Sequence, residues 1–294
     1  MFSKILFPTD FSECANKVLD YLEDFKKVGL EEVVLVRVIN LNRISGVTSG
    51  IDIESWIKNE EKESEKKLKE LVGLLEKRGI KARYVTPIPA GDPVTEIVKI
   101  AEKEKVSLIL MGSRGKGILK EILLGSVSEG VVRRATVPVL IVKSKRVRKG
   151  LSVECETIAG RLFEKILYAH DLSKHSDDVL GYVREVALAG GKDVVIVHVL
   201  ENKRKVEELT SEAEEKLGKI RQELEKDGIN VKLVIKSGTP YKEIINTAKE
   251  ENATLIMMGS RGLGFVEGML LGSTTDAVVR HSKIPVFVYK GKDK

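Results

Sequence analysis

Two stretches carry most of the chemistry visible in this chain: GSRGKGILKEILLGS at Gly112–Ser126 and GSRGLGFVEGMLLGS at Gly259–Ser273. Both keep the spacing Gly-x2-Gly-x9-Gly-Ser, through Gly112, Gly115, Gly125 and Ser126, and again through Gly259, Gly262, Gly272 and Ser273. Each follows a short apolar run that reads as a strand. Glycine lets a strand exit turn sharply and lets backbone N–H groups come close to a ligand. The Gly-Ser pair falls where a helix is expected to begin, and helix N-termini attract anions through unpaired N–H groups and the positive dipole end. Ser126 and Ser273 are placed to cap that helix or to donate to a phosphate oxygen. Arg114 and Arg261, inside the turns, are placed to screen phosphate charge. The alternative is a pair of flexible loops ahead of capped helices, which two in-register copies make a poorer account.

Two familiar phosphate motifs fail. Gly112–Gly117 is followed by Ile118 and Leu119, so the lysine and hydroxyl of the GxxxxGK[ST] loop are missing. A GxGxxG fingerprint fails at Lys120 in the first copy and at Glu267 in the second. The histidines, His170, His175, His198 and His281, have no metal-ligand spacing, and no metal site is expected. His170 beside Asp171 reads either as a loop residue at a site rim or as a general base near a phosphate. Cys14 and Cys155 have no ligand-like spacing and are expected to be free thiols.

The glycine stretches belong to a larger duplication. FSKILFPTDFS at 2–12 aligns with FEKILYAHDLS at 163–173, Gly91-Asp-Pro93 with Gly238-Thr-Pro240, and VPVLIV at 137–142 with IPVFVY at 284–289. The offset falls from 161 at the first pair to 147 at the later ones, so the first half is 14 residues longer between them. The surplus is expected in a loop within Leu41–Trp56. The reading is two domains, 1–144 and 163–294, with 145–162 as a linker. Each half alternates strand and helix. In the first half the strands are expected at Lys4–Pro8, Glu32–Ile39, Lys81–Thr86, Ser107–Met111 and Pro138–Val142. A long charged helix is expected over Glu60–Lys77, and another opens at Asp92-Pro93. The second half repeats this pattern. Such alternation builds a doubly wound α/β domain with a parallel sheet covered on both faces, and ligands then sit beyond the carboxyl ends of the strands.

Composition agrees with two ordinary domains: 294 residues, 42% apolar and 32% charged, with a net charge of +6. Basic and acidic residues interleave along the helices, as in KNEEKESEKKLKE, which is a solvated face rather than a nucleic-acid patch. No apolar run has the length of a membrane span, and the N-terminus lacks a signal-peptide pattern, so a cytoplasmic location is expected.

On these residues the chain resembles the universal stress proteins, in tandem form and in their ATP- or AMP-binding branch. The resemblance implies, for each half, a five-stranded parallel sheet of order 3-2-1-4-5, and closing strands that pair units into dimers. In a tandem chain that pairing joins the halves as an internal pseudo-dimer, with a further homodimer also open. Carried over by motif, Pro8, Thr9, Asp10, Val38 and Met111 would line the adenosine end. Gly112, Arg114, Gly115, Gly125, Ser126 and Val127 would hold ribose and phosphates. The second-half equivalents are Ala169, His170, Asp171, Val199 and Met258, then Gly259, Arg261, Gly262, Gly272, Ser273 and Thr274. Ala169-His170 departs from Pro8-Thr9, and loss of the proline is expected to loosen that loop. The resemblance implies an adenine-nucleotide-binding regulatory protein of stress responses with two sites per chain, Mg²⁺ accompanying ATP where ATP binds, and a protein partner it does not name. A slow ATP hydrolase and a nucleotide-free scaffold stay open as alternatives.

Overall fold

A computed structural model of the chain describes residues 1–43, 52–113, 124–149, 152–157, 161–201, 206–262 and 271–290. In the first half the strands are β1 (Lys4–Pro8), β2 (Glu32–Val36), β3 (Ala82–Tyr84), β4 (Leu108–Gly112) and β5 (Val139–Val142). The helices are α1 (Glu13–Val18), α2 (Leu22–Lys26), α3 (Ile53–Lys77), α4 (Pro93–Lys103) and α5 (Ser126–Arg134). Two strands of an intervening hairpin follow, β6 (Ser144–Lys149) and β7 (Ser152–Thr157). The second half supplies β8 (Ile166–Ala169), β9 (Asp193–Leu200), β10 (Asn230–Ser237), β11 (Leu255–Gly259) and β12 (Val286–Tyr289). Its helices are α6 (Lys174–Asp177), α7 (Leu180–Ala189), α8 (Val206–Lys226), α9 (Pro240–Glu250) and α10 (Ser273–His281).

Each half orders its strands 3-2-1-4-5, all parallel: β3-β2-β1-β4-β5 and β10-β9-β8-β11-β12. The central strands are continuous apolar runs because both faces are covered; Ile5, Leu6, Val33, Val34, Leu108 and Ile109 are all fully buried. Helices α1, α2, α3, α7 and α8 pack on one face around Phe7, Leu35, Tyr168 and Met257. Helices α4, α5, α9 and α10 cover the other around Leu6, Val34, Ile109 and Ile256.

The closing strands of the two halves pair with each other. Strands β5 and β12 run antiparallel, with Leu140 opposite Phe287, and the result is one ten-stranded sheet. Both cores run across the seam. Phe2 packs edge-on against Phe25 and Phe287, and Phe25 against Phe163. On the opposite face α5 and α10 exchange charges: Arg133 lies 2.7 Å from Asp276, Arg280 bonds Glu129, and each arginine also bonds the acid on its own helix. These side chains are partly exposed, so each pair contributes at most about 1 kcal/mol. Strand pairing and the buried aromatics hold the halves together, and the quartet fixes their register.

Three expectations need correction. The long helix of the first half starts at Ile53, not Glu60, because Asp52 caps it, its carboxylate accepting from Glu54 N and Ser55 N at 3.1 and 3.3 Å. Trp56 is therefore helical, and within the span given to the surplus loop, residues 44–51 lie outside the described residues. Strand β2 ends at Val36, and Ile39–Asn40 instead forms a separate short ladder with Ala90–Gly91. The linker is an antiparallel hairpin, Ser144 opposite Thr157 and Lys149 opposite Ser152, packed on α1.

The cysteines are not free. Cys14, on α1, is bonded to Cys155, on β7, with Cα atoms 5.1 Å apart. That distance is ordinary for a disulfide, and a separation of 141 residues is why spacing alone did not show it. Beside the bridge, Cys155 N–H donates to Glu13 Oε1 at 3.1 Å. Thiol titration of denatured, unreduced protein is expected to find no free cysteine. Reduction should lower the unfolding midpoint, since closing a loop of this length removes up to about 5 kcal/mol of denatured-state freedom. Two titratable thiols in unreduced protein would show that the bridge does not form.

Candidate functional site

Strands β1 and β4 are neighbours but send the chain to opposite faces, β1 to α1 and β4 to α5. The split opens a crevice beyond their carboxyl ends, the place where open α/β sheets hold ligands. Strands β8 and β11 repeat it. The first crevice has a volume of about 390 Å³ and the second about 340 Å³, sizes suited to a small molecule.

The first wall of each crevice is the loop after the first strand of its half. In the first, Thr9 N–H donates to Val36 O, Thr9 Oγ1 accepts from Phe11 N at 3.0 Å, and Asp10 Oδ1 accepts from Ser12 N at 3.0 Å. Phe11 is left-handed at φ 60°, which turns the chain so that Ser12 caps α1. The second loop makes the same bonds with different atoms. His170 N–H donates to Val197 O, and His170 Nδ1 takes the place of the threonine hydroxyl, accepting from Leu172 N at 3.0 Å. Leu172 is left-handed at φ 67°. The second loop therefore keeps the hydrogen-bond pattern of the first although Ala169-His170 replaces Pro8-Thr9, an imidazole nitrogen standing in for the threonine hydroxyl.

His170 is fully occupied. With Nδ1 accepting, the ring proton sits on Nε2 and is donated to Asp177 Oδ1 at 2.9 Å. His198 Nδ1 donates to the His170 carbonyl at 2.7 Å. Both ring nitrogens of His170 are thus engaged within the loop and its first helix turn. Asp171 Oδ1 accepts from Ser173 N, Ser173 Oγ and Ser176 Oγ, at 3.1, 2.5 and 2.6 Å. Position 176 corresponds to Ala15 in the first half, which has no hydroxyl to give.

The second wall is the glycine stretch. Gly125 N–H donates to Ser113 O and Gly272 N–H to Ser260 O, both at 2.8 Å, so the end of each stretch is pinned beside the strand exit that began it. Ser128 Oγ and Thr275 Oγ1 add bonds to the Gly112 and Gly259 carbonyls at 2.9 Å. Helices α5 and α10 thereby point their N-termini into the crevices. The cap residues are Gly125 and Gly272, in extended backbone; Ser126 and Ser273 are the first helical residues and do not cap. A glycine cap has no side chain to occupy the first-turn N–H groups, which leaves them to a ligand. Gly262 lies close against the Asp171 carboxylate: a Cβ there would be 2.2 Å from Oδ2, so a side chain would push that carboxylate aside.

The expected residues converge. Pro8, Thr9, Asp10, Val38 and Met111 line the first crevice with Gly112, Gly125, Ser126 and Val127. Arg114 and Gly115 lie outside the described residues. Ala169, His170, Asp171, Val199 and Met258 line the second with Gly259, Arg261, Gly262, Gly272, Ser273 and Thr274. Sequence reasoning missed Arg37, Asn40, Trp56 and Glu60 in the first crevice, and Ser176 and Glu201 in the second. Ser176 had a signal in the aligned halves, where serine faces alanine five residues after the aspartate. A larger cavity, about 790 Å³, lies by Lys249, Asn252 and His281 at the amino ends of the second-half strands. Helices α9 and α10 end there, and helix carboxyl ends do not favour phosphate, so the smaller crevices are the better candidates.

The profile of the universal stress protein family matches residues 1–143 and again residues 162–290. The chain belongs to the universal stress protein family. The crystal structure of a universal stress protein from Archaeoglobus fulgidus superposes with a TM-score of 0.76 at 42% identity, covering 99% of each chain. The universal stress protein MJ0577 of Methanocaldococcus jannaschii is 42% identical over 159 residues, 49% of this chain and 97% of its own length. The universal stress protein Rv2005c of Mycobacterium tuberculosis is 31% identical over 232 residues, 75% of this chain and 72% of its own. Family members are thus matched both by about half of this chain and by its whole tandem length.

Burial holds the pKa of His170 below the ordinary 6.5, against the opposing pull of Asp177 and Asp171, with His198 adding to the depression. The unfolded chain takes up this proton near pH 6.5 while the folded chain resists it. The stability in question is complete above that pH and declines as pH falls through it. His170→Thr restores the residue of the first loop, keeps an acceptor for Leu172 and removes the titration. Denaturant titrations at pH about 7.5 and about 5.5 are expected to show a smaller acid loss in this variant than in the wild type. An equal loss would place the acid sensitivity elsewhere.

Proposed function

We propose that both crevices bind an adenine nucleotide, ATP or AMP, and that occupancy rather than turnover is what the protein contributes to a stress response. One observation carries the reading: at the switch point of each half, a helix with a glycine cap points its free first-turn N–H groups into a crevice. That arrangement suits phosphate. The aspartates at the other wall, Asp10 and Asp171, suit donors such as ribose hydroxyls or the amine of adenine. Charge-assisted hydrogen bonds contribute about 1.5–3 kcal/mol each. A handful of them offsets the association cost of about 4–15 kcal/mol and leaves micromolar affinity, about −8 kcal/mol. Where ATP is the ligand, Mg²⁺ is expected to travel with its phosphates.

The same geometry supplies a test that separates binding from folding. Asp is a better helix cap than Gly by a few tenths of a kcal/mol, but its carboxylate occupies the N–H groups that a phosphate needs. Gly125→Asp and Gly272→Asp are each expected to leave the fold intact while removing one of two binding events in calorimetric titrations with ATP and AMP. Gly125→Asp should keep or raise the unfolding midpoint, while at Gly272 the new Cβ meets Ser260 O at 3.3 Å and offsets the gain in capping. Gly262→Ala, which drives a methyl into the Asp171 carboxylate, should remove the second event alone. Nucleotide released by denaturing the purified protein, identified by mass spectrometry, would show which form it carries. Two undiminished events in both Asp variants would refute phosphate binding at these helices.

A further inference from the structure

Trp56 is the only tryptophan in the chain, and it lines the first crevice. It stands on the first turns of α3, whose start is fixed by the Asp52 cap, and its half-buried ring packs against the core on that face. Glu60 lines the same crevice one turn later, and residues at i and i+4 share a helix face. From the other face of the sheet, Val38 and Ile97 also line the cavity. The cavity therefore brings an indole ring, an aliphatic wall, two carboxylates, Asp10 and Glu60, and one guanidinium, Arg37, to the same site as the N-terminus of α5. The indole and the aliphatic wall suit a flat, amine-bearing ring, and the α5 N-terminus suits phosphate.

The second crevice lacks this feature by sequence. No Trp, Tyr or Phe occurs between Glu201 and Pro240, so neither α8 nor the segment leading to it has an aromatic ring to contribute. With Leu75 and Gly79 aligned to Leu224 and Gly228, the residue in register with Glu60 is Leu209.

We propose that Trp56 is a specificity-determining residue of the first site, stacking on the purine base of its nucleotide, and that it makes the two sites unequal, the first tighter and base-selective. This rests on nucleotide binding as read above. Stacking of a base on an aromatic side chain corresponds to about a tenfold to hundredfold gain in affinity and requires no hydrogen bond to the ring.

The lone tryptophan reports on the first site without interference. The experiment titrates the full chain, stripped of nucleotide, with AMP and with ribose 5-phosphate, which has no base, following tryptophan emission and heat together. AMP is expected to change the emission in step with the tighter of two calorimetric events; ribose 5-phosphate should leave the emission unchanged. Trp56→Leu should weaken the tighter AMP event by about tenfold to a hundredfold and leave ribose 5-phosphate binding as it was. Trp56→Phe, which keeps a ring, should recover most of the loss. AMP binding with unchanged emission overturns the proposal, as does equal weakening of AMP and ribose 5-phosphate in Trp56→Leu, which would make Trp56 a packing residue. If Trp56→Leu does not fold, the wild-type emission and Trp56→Phe still decide. Absence of any heat with AMP and ATP in the wild type overturns nucleotide binding and this proposal together, whereas heat without an emission change removes only the latter.

Discussion

The antiparallel pairing of β5 with β12 is the contact on which the rest of the molecule depends. A five-stranded parallel sheet ends in an edge with unpaired N–H and C=O groups, and such edges invite uncontrolled association. Here each half covers the other's closing edge. The pairing also makes both cores continuous, so that Phe2 of the first half packs on Phe287 of the second. It sets α5 and α10 side by side, where Glu129 and Asp276 near their N-termini meet arginines near the other helix's C-terminus. The helices whose N-termini form the crevices are thus positioned in part by the opposite half.

Within this near-symmetric frame the two sites have diverged in ways that preserve the backbone and change the chemistry. Imidazole replaces hydroxyl at His170, and the loop keeps its hydrogen bonds. Serine replaces alanine at 176, and its hydroxyl donates to Asp171, a bond that Ala15 has no hydroxyl to make. The long helix of the first half carries Trp56 and Glu60 to its crevice, while that of the second has no aromatic residue to bring. The disulfide is equally one-sided: Cys14 lies on α1 beside the first crevice, and the aligned residue in the second half is His175. The duplicated unit thus keeps a glycine-capped helix at both crevices and varies the walls that face it.

The framework was legible in the residues because it rests on local rules. Apolar runs of five, Asp92-Pro93 at a helix start, and glycines at fixed spacing each act over a turn or a strand, and duplication allowed every reading to be checked against its copy. The start of α3 was not legible from periodicity. Ile53, Trp56 and Ile57 stand at helical spacing, but the wholly polar run at 58–67 parts them from Leu68 and breaks the pattern, and the remaining signal was Asp52, a cap at the end of a stretch read as loop. The hairpin of residues 144–157 was missed because alternation there is weak and its partner for packing, α1, is more than a hundred residues away in sequence.

What the sequence determined by itself is the repeat, the parallel alternating architecture and the two glycine stretches at matching places in it, since backbone turns and helix starts depend on neighbours a few positions away. Only the tertiary structure decided which atoms those loops leave free. The caps are Gly125 and Gly272 rather than the serines after them, because the Ser113 and Ser260 carbonyls pin those glycines in extended backbone. Likewise His170 is occupied by Leu172 and Asp177, Cys14 meets Cys155, and Trp56 reaches a crevice built from β1 and β4. The disulfide and the place of Trp56 depend on contacts between segments distant along the chain, and the His170 bonds on how one ring turns within its own loop; neither leaves a pattern in the sequence to reveal it.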